Sequence, residues 1–152
     1  MRWPVRFEGR SVTKSAFALV LLVTIMSCGP VFAEPQCSIG DAEAEKAGGY
    51  AQAVGAAVDA APDCDQAYAT LEACQLGTSA DNALSDLVLE KCEPAFVAKA
   101  DAATKKAYKK AQDVCNKIAE TDSGTMYQSF AAVCLARVSR DFARKASGVK
   151  AK

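Results

Sequence analysis

The side chains of this sequence best suited to chemistry are its seven cysteines, because histidine is absent from all 152 residues. Without histidine the chain lacks the usual general base at neutral pH, the commonest metal ligand, and the partner that activates serine and cysteine nucleophiles. No C-x-x-C pair and no G-x-S-x-G elbow occurs, so neither a zinc or haem site nor a hydrolase nucleophile is indicated. Carboxylate pairs do occur, Glu43 with Glu45 and Asp63 with Asp65, but in polar, solvent-like surroundings. They read as helix caps and surface groups. The expectation is a protein with no catalytic residue, no metal and no cofactor.

The chemistry left to the cysteines is covalent cross-linking, which depends on the compartment. Arg2, Arg6, Arg10 and Lys14 precede an apolar run from Ala16 to Met26, the n-region and h-region of a secretory signal. A bilayer span needs about 18 or more apolar residues, and this run stops at Ser27-Cys28-Gly29-Pro30. Val31-Phe32-Ala33 then suits signal peptidase, which makes residues 1–33 a leader and Glu34 the first mature residue. A competing site is Ile25-Met26-Ser27-Cys28, a loose lipoprotein box in which Cys28 is acylated and anchors the protein to a membrane. Either cut leaves an even set: Cys37, Cys64, Cys74, Cys92, Cys115 and Cys134. In an exported small domain such a set reads as three disulfides, so the expected location is periplasmic or secreted.

The elements that position these cysteines are helices. No segment alternates convincingly with period two, whereas apolar residues recur at helical spacing throughout the mature chain. Asp41 to Ala61 reads as one helix weakened by Gly48, Gly49 and Gly55, and Pro62 ends it. Asp63 or Asp65 caps a second, with Cys64, Ala67, Tyr68, Leu71 and Cys74 on one face and Gly77 at its C-cap. Ser79 or Asp81 opens a third, carrying Leu84, Leu87, Val88 and Cys92; Pro94 stops it and begins a short turn through Phe96 and Val97. Asp101 or Thr104 starts the clearest helix, with Ala107, Tyr108, Ala111, Val114, Cys115 and Ile118 inward. After the turn Thr121–Gly124 a last helix directs Tyr127, Phe130, Ala131, Cys134, Val138 and Phe142 inward, and Arg137, Arg140 and Arg144 outward.

The fold class is therefore all-α, a small bundle of four to five helices over residues 34–146, with a loose tail at 147–152. Its apolar fraction is dominated by alanine, so close helix packing and covalent staples matter more than bulk burial. Helix geometry also restricts the pairing. Residues ten apart on one helix lie about 15 Å apart, and a disulfide needs Cα atoms within about 7 Å, which excludes Cys64 with Cys74. Antiparallel neighbours favour Cys64 with Cys92 and Cys115 with Cys134. Cys37 with Cys74 follows by elimination.

Charge is strongly divided: residues 34–93 hold twelve acidic against two basic side chains, and 94–152 hold five against twelve. In one reading oppositely charged helices pack side by side; in the other, an acidic face steers a cationic partner. Lys105, Lys106, Lys109 and Lys110 with the arginine stripe have the composition of a phosphate or nucleic-acid surface. They equally suit the solvated faces of amphipathic helices, and no nucleic-acid partner is expected.

The stretch from Cys115 through Gly124-Thr125-Met126-Tyr127 to Cys134-Leu135-Ala136-Arg137-Val138-Ser139 resembles the C-terminal signature of the LprI-type lysozyme-inhibitor family of bacterial exported proteins. In the N-terminal half, Ala80-Asp81-x-x-Leu84 is similar too. The resemblance implies a helical hairpin and a non-catalytic domain that occludes a cationic protein such as lysozyme. Asp63, Asp65, Glu72, Asp81, Asp86 and Glu90 are then the candidate contact residues. The alternative is a structural or stress-related envelope protein whose charged helices engage the cell surface.

Overall fold

The computed structural model describes residues 36–148. The expected leader at residues 1–33, the alternative acylation residue Cys28, the expected start at Glu34 and the end of the tail lie outside that range. The described residues form six α-helices, no strand and three disulfides. The helices are α1 (Asp41–Ala47), α2 (Tyr50–Ala60), α3 (Cys64–Cys74), α4 (Asp81–Cys92), α5 (Ala102–Thr121) and α6 (Thr125–Ala146), with a 3-10 turn at Glu93–Ala95.

Six helices replace the expected four to five because the segment from Asp41 to Ala61 is two helices. Gly48 and Gly49 both take positive φ, 83° and 145°, which a residue with a side chain rarely adopts. Their N–H groups donate to the carbonyls of Glu45 and Ala44 and close α1. The third glycine, Gly55, stays helical: a Cβ there would meet Leu84 of α4 at 3.5 Å, ordinary van der Waals contact, so neither its backbone nor its packing breaks α2.

Local chemistry sets the other boundaries. The Asp63 carboxylate accepts from Gln66 N–H at 2.8 Å to start α3, and Asp101 does the same from Thr104 N–H at 2.7 Å to start α5. Lys91 donates to the carbonyl of Ala61 at 2.7 Å, just beyond the end of α2. Gly77 does not cap α3, which ends at Cys74; it lies in the α3–α4 loop with φ 68°.

The centre of the fold is α6, packed on α5 along one side and α4 along the other, with α3 also touching it. Around so central a helix the buried arc is wide and the approach close, so small residues fill it: Ser129, Ala131, Ala132, Ala136, Ser139 and Ala143. Ser85 of α4 donates to the Ala132 carbonyl at 2.7 Å, a contact larger residues would prevent. Large side chains are correspondingly displaced: Phe130, expected inside, is 46% exposed. On α5, Ala107 is exposed and Val114 is 59% exposed, which leaves Tyr108 and Cys115 as its buried residues. Among the described residues that helix packs as a helix on α6 alone, with few buried side chains of its own.

Three cross-links and an aromatic cluster complete the core. Cys64 and Cys92 join the start of α3 to the end of α4, and Cys115 and Cys134 join α5 to α6. Cys37 and Cys74 tie the N-terminal segment to the end of α3, and the three Cα–Cα distances are 4.8, 5.5 and 4.8 Å for the pairs in this order. These are the pairs expected above, two from the packing of antiparallel helices and Cys37 with Cys74 by elimination. Phe96 packs edge-on against Tyr108 at 4.9 Å and Phe142 lies 5.1 Å from Tyr108, which locks the 3-10 turn to α5 and α6.

Candidate functional site

The six acidic residues proposed as a contact surface are placed in different surroundings. Asp81 is fully buried: its carboxylate accepts from the N–H groups of Leu76, at 2.9 Å, and Gly77, also at 2.9 Å, and from the Ser129 hydroxyl at 2.6 Å. It organises the α3–α4 loop against α6 and is unavailable to a partner. The carboxylate of Asp63 is engaged in capping α3.

Asp65 and Glu72 face α6. Arg144 donates to Asp65 at 2.6 Å, and Arg137 lies 3.8 Å from Glu72. Between them the Tyr68 hydroxyl donates to Glu72 at 2.6 Å and accepts from Arg137 at 3.0 Å, while the Arg140 guanidinium sits 4.0 Å above the Tyr68 ring and pairs with Asp141. Burial pushes the Tyr68 phenol up, Glu72 adds to the shift, and the bond to Tyr68 raises Arg137 in turn. The arginine stripe expected to face solvent is therefore the counter-surface of α3. The two spacings carried the signal: Asp65 and Glu72 are seven residues apart, as are Arg137 and Arg144, and antiparallel packing matches them pair for pair.

That leaves Asp86 and Glu90, exposed one turn apart on α4 and without an ion pair among the described residues. Opposite in sign and more extended is α5, where Lys105, Lys106, Lys109, Lys110 and Lys117 are all exposed. Their single ion pair is Lys109 with Asp113 at 3.8 Å, in open solvent. At the start of the same helix, Asp101 is held below the usual carboxylate range by its bonds to Thr104.

A second feature was not legible in the sequence. A cavity of about 630 Å³ opens between the 3-10 turn, the start of α5 and the end of α6, lined in part by Phe96, Lys99, Asp101, Thr104, Phe142 and Lys145. Beneath it the Tyr108 hydroxyl donates to Glu93 at 2.8 Å, and burial pushes that phenol up to about 12. Ser139 Oγ, fully buried, has no hydrogen-bond partner among the described residues. Among the described residues no three His, Cys, Asp or Glu side chains gather as a metal site would need.

Compared with models of known families, with curated proteins and with solved structures, the chain matches none. Three disulfides suit an oxidising compartment outside the cytoplasm, and no described helix is long and apolar enough to cross a membrane.

Proposed function

We propose that this chain is an exported, non-catalytic binding domain of the bacterial envelope whose lysine face on α5 engages an anionic envelope surface. The observation that carries the reading is the unequal fate of the two basic stripes. The arginines of α6 are matched by acids of α3 or by Asp141, whereas the α5 lysines are exposed and almost uncompensated. A lysine near an anionic lipid surface contributes about 1 kcal/mol, so four acting together suffice for salt-sensitive association. The test is co-sedimentation of the oxidised mature domain with vesicles rich in anionic lipid across a salt series. Binding that falls with salt and disappears when Lys105, Lys106, Lys109 and Lys110 become Gln supports the reading; binding unaffected by those changes refutes it.

A second reading keeps the lysozyme-inhibitor resemblance: occlusion of a cationic protein by an acidic patch. Its support is the hairpin from Cys115 to Cys134 together with exposed Asp86 and Glu90. Lysozyme activity with micromolar mature domain separates the two. Inhibition lost in Asp86→Asn with Glu90→Gln would favour this reading, and no inhibition removes it.

A further inference from the structure

The cavity between the 3-10 turn and the α5 and α6 ends combines features that the lysine face does not share. Its floor is aromatic: Phe96 is only 3% exposed, and Phe142 is half-buried beside it with ring centroids 5.8 Å apart. Alanines on the surrounding walls leave the space open, and about 630 Å³ falls within the range of small-molecule sites. Lys99 and Lys145 both line it, and neither forms an ion pair among the described residues. The Lys145 ammonium lies 5.0 Å from the centre of the Phe142 ring, which places a cation against the apolar floor.

Charge balance narrows the class of ligand. Among the described residues Asp101 is the acidic residue of the lining, and its carboxylate is turned to the Thr104 N–H that it caps. Two ammonium groups against one carboxylate leave a single positive charge, which a monoanion neutralises and a dianion exceeds. An apolar floor with a cationic rim matches a molecule that has both an apolar body and one acidic head. We infer that this cavity binds a small amphiphilic monoanion of the carboxylate class, with its chain on Phe96 and Phe142 and its head group between Lys99 and Lys145. The inference is independent of the lysine-face reading, because it uses neither Lys105, Lys106, Lys109 nor Lys110.

The experiment is an NMR titration of the oxidised mature domain with decanoate, kept below its micelle-forming concentration, with decanol as the uncharged control. The expected result is saturable shifts at Thr104, Ala107 and Phe142, with decanol weaker by about tenfold, the contribution of one charge-assisted hydrogen bond. Lys99→Met with Lys145→Met should weaken decanoate by a similar factor. Ala107→Phe is a second and independent variant: Ala107 is exposed on α5, so the larger side chain fills the cavity without entering the core. It should abolish saturation. Absence of saturable shifts, equal affinity for decanol, or binding that survives Ala107→Phe would each overturn the proposal. Shifts confined to the outer lysines of α5 would do the same, since they would mark surface attraction alone.

Discussion

Helices α5 and α6 are adjacent, antiparallel and joined by a disulfide, and each carries a basic stripe, yet the two stripes do different things. On α6, Arg137, Arg140 and Arg144 lie against α3: Arg137 donates to Tyr68 and lies 3.8 Å from Glu72, Arg140 stacks on Tyr68, and Arg144 pairs with Asp65. On α5, Lys105, Lys106, Lys109 and Lys110 extend into solvent. Part of the difference is chemical: a guanidinium is planar, weakly hydrated and able to stack, while an ammonium is a compact and strongly hydrated charge. The rest is positional. Helix α6 is central, whereas among the described residues α5 packs as a helix on α6 alone. A charge split in sequence thus becomes a paired, partly solvent-exposed seam on one side of α6 and a free field on the other.

The largest expected effect tests how differently the two helices are attached. Because Tyr108 and Cys115 are the buried residues of α5, the Cys115–Cys134 bridge should dominate its anchoring. Cys115→Ser with Cys134→Ser should cost about 3 kcal/mol in denaturant unfolding of the mature domain. Amide exchange should accelerate along α5 first, while α3 and α4 keep their protection. Equal loss across the bundle would mean that α5 is not the weakly attached element.

Asp81→Ala should come next, at roughly 2 kcal/mol, because it strands the N–H groups of Leu76 and Gly77 and the Ser129 hydroxyl. Binding to anionic vesicles should be unchanged in the folded fraction. A smaller effect is expected in the seam. A double-mutant cycle on Asp65 and Arg144 should return no more than about 1 kcal/mol, since both side chains remain partly open to water. A coupling of several kcal/mol would show that the seam is an organising feature rather than a charge-neutralising one.

How much of this was legible beforehand follows from which signals are local. The α3 face from Cys64 to Cys74 and the cysteine pairs could be read because helical rise and disulfide span are fixed lengths. The break at Gly48-Gly49 turned on backbone conformation, and helical spacing alone passed over it. Asp81 looked like a surface acid because burial depends on what covers a residue, here Ser129, 48 positions away. Phe130 and Val114 were misplaced because the periodicity argument favours large apolar residues, whereas the close approach at α6 favours Ala and Ser. The cavity unites Lys99 and Lys145 from distant segments, and no spacing in the chain announces it.

The smallest expected effect on stability accompanies the largest on binding, and that contrast is the sharpest test of the two stripes. Lys105→Gln with Lys109→Gln should alter unfolding free energy by less than about 0.5 kcal/mol, because exposed charges with at most one solvent-screened partner contribute little. Arg137→Gln with Arg144→Gln removes the same charge, but it takes partners from Glu72 and Asp65 and should cost more stability. If the α5 field is what an anionic surface meets, the lysine pair should lose vesicle affinity and flatten its salt dependence. The arginine pair should keep both, because its charges are already neutralised within the fold. Measuring the two double variants side by side, by denaturant unfolding and by vesicle binding across a salt series, holds net charge constant. Equal losses of binding in both would mean that overall charge, and not the exposed face of α5, governs association.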